Sequence, residues 1–311
     1  MNKNLMNDVI ICHITTNNKV RKIATYRSID CELRQKHIKI NAFLKRRFIP
    51  SIFSKGYVQG RSIYHNAVSH LYNDYFIMLD IHSFFPSICH KQLAERIFYE
   101  INLKKDNQIS KVECNQLIDV CSINKRGLPL GFITSPVLSN IYLKSFDGQF
   151  YGFLKTLNLE NVIYTRYADD LTVSFKYQGT DKDPKIEQMI IGKASDLLKK
   201  LGLQLNNHKT RSYNLNVSNH IRITGINIVK DGDNYRKLTV GRTLKDKLFR
   251  EALKCYDTKD YANAEQIKGL LSFVLSIEKQ GFEECYSERM KNMVFERGFN
   301  SLSELIQSLN T

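Results

Sequence analysis

Three aspartates carry the most specific chemistry in this chain. Asp80 closes a short apolar run that begins at Tyr75, and Asp169 and Asp170 stand side by side in Tyr167-Ala168-Asp169-Asp170. Adjacent carboxylates repel each other, so a pair of them near a third is not an arrangement that a fold adopts for stability. A bound cation resolves the conflict. Hard oxygen donors, few in number and leaving room for water and phosphate oxygens, describe a Mg²⁺ site. Two such ions about 3.5–4 Å apart would activate an attacking hydroxyl and stabilise a leaving pyrophosphate. Taken singly, an Asp at a strand end is a cap or turn former, and an Asp-Asp pair in a turn is solvated surface. Here the acids end two apolar segments that could be neighbours in one sheet, which favours the catalytic reading.

The elements that must position these acids follow from the apolar pattern. Residues 75–81 have the length and bulk of a buried strand, and a helix over 91–101 follows. Residues 161–175 read as a β-hairpin with residues 167–170 as its bend, which puts both acids at the tip. An amphipathic helix over 186–201 stops at Gly202, and further strands are expected over 221–229 and 237–240. Upstream, Leu33, His37, Ile38, Phe43 and Leu44 recur near helical spacing among basic residues, so 30–48 reads as a basic helix with one core face. Beyond Gly241 the pattern is helical over 243–256, 262–278 and 283–297. A mixed α/β body over 1–240 is expected, followed by a small helical domain over 241–311.

Composition sets the partner class. Among 311 residues, 46 Lys and Arg oppose 31 Asp and Glu, a net charge of +15. The hydrophobic share of 42% and charged share of 25% are those of a folded soluble protein, which excludes disorder, collagen and coiled coil for the whole chain. A basic folded body points to a polyanion, because each cation placed near a phosphate releases a condensed counterion. No apolar run approaches the roughly 18 residues of a membrane span, and no secretory leader is read at the N-terminus. The seven cysteines are scattered without a C-x-x-C pair. They predict reduced thiols in a cytoplasmic protein, with no zinc knuckle and no disulfide frame.

Set in order, the motifs resemble those of reverse transcriptases. Tyr167-Ala168-Asp169-Asp170 resembles the Y-x-D-D box, and residues 80–88 the first catalytic strand and its turn. Gly127-Leu128-Pro129-Leu130-Gly131-Phe132-Ile133-Thr134-Ser135-Pro136 resembles the nucleotide-side box, and 202–206 with Lys209-Thr210 the next one. The resemblance covers about 19–229. It implies an α+β right-hand polymerase, with fingers and palm built on an antiparallel sheet and then a small α-helical thumb. It also implies that Asp80, Asp169 and Asp170 hold two Mg²⁺ ions, and that Phe85 lies under the incoming sugar and excludes a 2′-hydroxyl. Gly131 falls in the nucleotide-side box, Lys209 would face the triphosphate, and Arg21 and Arg34 resemble finger positions that grip phosphates. Two departures stand out. Leu130 occupies the position where Gln is commonest, and Ile133 the position where Pro is expected, removing one polar contact and one stiff turn beside the nucleotide.

Within that family the sequence resembles bacterial retron reverse transcriptases. Asn66-Ala67-Val68-Ser69-His70 matches N-A-x-x-H, and Ile223-Thr224-Gly225 resembles the V-T-G element. A satisfied structural pair at i and i+4 would also account for Asn66 and His70. The resemblance implies RNA recognition by Asn66, His70 and residues Ile223, Thr224 and Gly225, with the basic helices from Lys245 onward gripping RNA stems through shape and phosphates. It implies copying of a cognate noncoding RNA from a guanosine 2′-hydroxyl, using dNTPs, to give a branched RNA-linked single-stranded DNA. The 70 residues from Arg242 leave no room for an RNase H domain, so a cellular RNase H would trim the template. An effector protein encoded nearby and a role against phage are implied by analogy. A group II intron-like or diversity-generating reverse transcriptase, or a noncatalytic RNA-binding scaffold, are the other readings.

Overall fold

A computed structural model of the chain describes residues 3–16, 19–103, 105–231, 235–278 and 281–309. It divides into two compact units, 1–62 with 73–216, and 63–72 with 217–311. The first unit opens with a short helix α1 (Lys3–Met6) and an antiparallel hairpin of β1 (Val9–Thr16) and β2 (Lys19–Tyr26). The basic helix follows as α2 (Glu32–Arg47), with Leu33, His37 and Leu44 on its buried face. Helix α3 (Ile63–Val68) belongs to the second unit.

The apolar run forms β3 (Tyr75–Asp80), and α4 (Phe84–Ser87), α5 (His90–Asn102) and α6 (Lys111–Cys121) come next. Helix α6 starts at a capping box in which Ser110 and Glu113 satisfy each other's backbone N–H groups. Helix α7 (Ser135–Lys155) has Pro136 in its first turn, where a missing N–H costs nothing. Then come β4 (Ile163–Tyr167), β5 (Asp170–Phe175), α8 (Pro184–Lys200) and β6 (Arg211–Asn214). The four strands form one antiparallel sheet in the order β4-β5-β3-β6. Ile77 and Leu79 of β3, Leu171 and Val173 of β5, Ile97 of α5, Ile141 and Phe146 of α7 and Ile190 of α8 share one buried cluster. Burying each such side chain contributes roughly 1.5–3 kcal/mol, so the sheet is held rigidly under whatever its strand ends carry.

The second unit holds a three-stranded antiparallel sheet of β7 (His220–Ile223), β8 (Ile226–Asp231) and β9 (Tyr235–Thr239), against which α3 packs. The single strand expected over 221–229 is thus two, because Thr224 and Gly225 turn the chain with φ of 45° and 93°. Helices α9 (Arg242–Thr258), α10 (Ala264–Ile277), α11 (Glu288–Phe295) and α12 (Leu302–Ser308) complete the unit. The helix expected over 283–297 is shorter, since its first residues form a 3₁₀ turn before Ser287 caps α11. Lys245 is not a free RNA-facing cation. It is buried and pairs with Glu278 at 2.7 Å, whose other oxygen accepts hydrogen bonds from Thr239 and Val240. The chain is α+β with antiparallel sheets. All seven cysteines are free thiols, and among the described residues no helix is long and apolar enough to cross a membrane.

Candidate active site

Strand pairing brings the three acids together. Asp80, the last residue of β3, lies directly opposite Asp170, the first residue of β5. Cross-strand partners point to the same face and lie close, so these two carboxylates share a surface. Asp169 occupies the two-residue turn between β4 and β5, and its carbonyl accepts a hydrogen bond from Ile81 N–H at 3.0 Å. The bend is therefore Ala168-Asp169 alone, with Asp170 already in the strand. Ala168 takes φ 57°, a left-handed conformation that costs an Ala about 1 kcal/mol or more.

The charges are crowded. Asp170 is flanked by protein that strips water from its carboxyl, and this, with Asp169 and Asp80 nearby, pushes it up to about 6. Asp169 is also raised, first by burial and then by Asp80, with Lys209 and Arg21 opposing. Asp80 is already engaged: Lys209 Nζ donates to one oxygen at 2.5 Å and Asn206 Nδ2 to the other at 3.0 Å. Both donors are delivered by the segment after α8. His82 N–H bonds Gln204 O and Asn206 N–H bonds Asp80 O, which continues the pairing past the end of β3. The bond to Asp80 holds the Lys209 ammonium above its ordinary value. Among the described residues no three His, Cys, Asp or Glu side chains surround one point at metal-ligating distance, and Lys209 and Asn206 hold Asp80. The donor set still fits a hard cation, because two of its three carboxylates are held above their ordinary range by burial and by their negative neighbours, both of which a bound cation offsets.

The remaining predicted residues are placed as follows. Phe85, in α4, is buried beside Phe84 and makes an edge contact with Tyr57 at 6.4 Å. Gly131 has φ 102°, and a Cβ there would meet Ala24 O at 2.3 Å, so this glycine permits β2 to dock on the nucleotide-side box. Arg21 of β2 is exposed and its charge reaches Asp169, whereas Arg34 donates to Ile29 O at 2.9 Å. In the second unit Asn66 and His70 are both buried, and Asn66 Nδ2 donates to Thr224 Oγ1 at 3.2 Å. The two elements read as retron-like thus touch each other.

Several residues here were not singled out by the sequence. Arg166 is wholly buried beneath the turn, with Nε and Nη2 donating to both oxygens of Asp147 at 2.8 and 2.9 Å. Its remaining nitrogen donates to Asn140 and to Ala168 O, and Tyr164 donates to Asp147. Residues 53–56 lie against the same turn: Lys55 N–H donates to Arg166 O, and a Cβ on Gly56 would meet Ala168 N at 2.8 Å. The only hint in sequence is an Arg sharing the Tyr164 face of an apolar strand.

Residues 16–228 match the family described as reverse transcriptase (RNA-dependent DNA polymerase). The chain belongs to that family. Curated reverse transcriptases similar to it include retron Ec73 reverse transcriptase of Escherichia coli, 29% identical over 62% of this chain and 59% of the relative. Retron Ec86 reverse transcriptase, also of Escherichia coli, is 30% identical over 74% of this chain and 64% of the relative. The chain thus spans about six-tenths of the length of these two. A solved structure of telomerase from Candida albicans, in complex with a TWJ fragment of telomeric RNA, aligns over 100% of this chain and 68% of its own, at 12% identity and a TM-score of 0.51. That likeness is one of fold.

Proposed function

We propose that the chain is an RNA-directed DNA polymerase of the retron kind, copying a cognate structured noncoding RNA from a guanosine 2′-hydroxyl into a branched RNA-linked DNA. The observation that carries the polymerase part is the register that sets Asp80 opposite Asp170 with Asp169 in the adjoining turn. Mg²⁺ bound by these three acids would activate the attacking hydroxyl and stabilise the departing pyrophosphate. Lys209, on Asp80 before nucleotide enters, has an exposed stem long enough to turn toward a triphosphate. Arg21 adds positive charge on the finger side, and Phe85 serves as the wall that rejects a ribose 2′-hydroxyl, so dNTPs are the substrates.

The retron part rests on similarity to retron relatives and on the pairing of Asn66 with Thr224. Because Asn66 is buried against Thr224, its contribution to RNA recognition is to hold the 223–225 turn rather than to touch RNA. The right-hand description assigns fingers and palm to residues up to 240 and an RNA-gripping thumb to 241–311. A cytoplasmic location in a bacterium, template trimming by a cellular RNase H, and an effector protein in phage defence complete the reading by analogy.

The test is to express the gene with its native upstream sequence and resolve nucleic acid before and after ribonuclease. A discrete single-stranded DNA that shifts with ribonuclease and vanishes in Asp169→Asn is expected. Its absence from a protein that still extends a DNA primer on RNA would overturn the retron part alone. In the same assay Asn66→Ala should lower the cognate product more than generic primer extension, and equal losses would remove Asn66 from RNA recognition.

A further inference from the structure

The nucleotide-side box departs from its family at Ile133, and the structure supplies what the departure makes available. A proline has no N–H; Ile133 has one, and it donates to Tyr26 Oη at 3.0 Å. Tyr26 Oη lies 2.7 Å from His37 Nδ1, and His37 Nε2 lies 3.0 Å from Val120 O. Only one proton assignment satisfies every atom. Val120 O can only accept, so Nε2 carries the imidazole proton and Nδ1 accepts from the phenol, whose oxygen in turn accepts from Ile133. Burial lowers the His37 pKa, which keeps the ring neutral, and pushes the Tyr26 phenol up to about 12, which keeps it a donor.

Packing fixes the same groups. The Tyr26 ring stacks on Phe132 with centroids 5.4 Å apart, and His37 meets the Phe132 edge at 4.7 Å. Beside them Ala24 N–H donates to Leu130 O at 2.7 Å, and Gly131 admits the Ala24 carbonyl where any side chain would clash. Strand β2, which carries Arg21, is therefore fastened to residues 130–133 by a backbone bond, a close approach and the Tyr26 hydroxyl. Helix α2 holds that hydroxyl in place through His37.

We infer that Tyr26 and His37 are positioning residues for the incoming nucleotide, setting the nucleotide-side turn and the Arg21 strand through the Ile133–Tyr26–His37 hydrogen-bond chain, in place of the stiffness that a proline at 133 would provide. This rests on the polymerase reading above. Neither side chain touches the acids, so the effect falls on nucleotide binding and leaves the chemical step alone.

The experiment is RNA-templated extension of a DNA primer, with KM for dNTP and kcat measured separately and the thermal midpoint followed alongside. Tyr26→Phe deletes one oxygen and keeps the stacked ring. It should raise KM about three- to tenfold, the range of one hydrogen bond, with kcat within about twofold. In an Ile133→Pro background no N–H remains to be accepted, and Tyr26→Phe should then change KM by less than about twofold. His37→Phe keeps the ring packing and breaks the chain from the other side. Combined with Tyr26→Phe, it should raise KM no further than the larger single change. A Tyr26→Phe enzyme with unchanged KM, or one whose KM rises equally with Pro at 133 or adds fully to His37→Phe, would overturn the inference while the polymerase reading stands. A wild-type chain that incorporates no nucleotide would overturn both.

Discussion

At the scale of single residues, Asp170 is a carboxylate that costs the fold stability. Its folded carboxyl titrates near 6, against the ordinary value of 3.8. Between those values the folded chain holds a proton that the unfolded chain has released, so unfolding sheds a proton and stability falls as pH rises through that window. At pH 7.5 without divalent metal, the ionised acid is a cost to the fold. Asp170→Asn should therefore raise the thermal midpoint of the metal-free protein by about 1–3 °C at pH 7.5, a modest figure because the residue is partly solvated. The gain should shrink as pH falls below 6 and vanish only below 3.8, and DNA synthesis should be lost at every pH; scanning calorimetry in EDTA checks the first part. A midpoint that drops at pH 7.5 would mean that Asp170 is stabilising as it stands. Phe85 tests a second residue-scale claim. Phe85→Ala should let ribonucleotides into the product, read as alkali-labile sites along the DNA, and an unchanged, alkali-stable product would place the gate elsewhere. Asp170 and Phe85 could be singled out beforehand because their motifs are local in sequence. The hold of Lys209 on Asp80 was not, since it depends on the segment after α8 pairing alongside the end of β3.

At the scale of elements, the β4–β5 turn stands on a buried ion pair. Arg166 and Asp147 are both fully buried and share two hydrogen bonds. Removing one partner strands the other charge, so Arg166→Met should destabilise the chain by about 3–5 kcal/mol. Arg166→Met with Asp147→Leu should recover most of that loss while synthesis stays impaired, because Ala168 O and Asn140 have lost a donor beneath the catalytic turn. Denaturant unfolding of the two variants, beside primer extension, decides this; a double variant with full activity would reduce the pair to a structural filler. Sequence could not announce it. An Arg and an Asp nineteen positions apart read as two surface charges until α7 and β4 are seen to face each other. Helix α7 was hidden for a related reason: buried residues such as Leu138, Asn140, Ile141, Tyr142 and Leu143 follow almost without a break, so no polar face marks a helical period. The β3 strand and the β4–β5 hairpin were legible because short apolar runs bounded by turn residues have few other readings. The β1–β2 hairpin, with Ile10, Ile11, Ile14 and Val20 exposed, offered no inside-outside alternation to read.

At the scale of the whole molecule, net charge and the division into units matter most. A chain of net charge +15 that binds RNA chiefly through phosphates should lose affinity steeply with salt, with a log–log slope of about −4 if some six phosphates are neutralised. Filter binding between 50 and 300 mM salt measures it, and a slope near zero would assign recognition to uncharged contacts. The net charge behind this prediction was legible from composition. The assignment of residues 63–72 was not, because nothing in a local pattern says that a helix followed by β3 packs instead on β7 and β8. That assignment sets an order of events during synthesis. Helix α3 leaves the ribosome with its surroundings unmade, and the strands that cover Asn66 and Ala67 begin at least 145 residues later. At elongation speeds of about 5–20 residues per second, that is a wait of roughly 7 to 30 s. Throughout it the nascent polypeptide carries a short segment that belongs to no finished structure, open to chaperones, to proteases and to its own transcript.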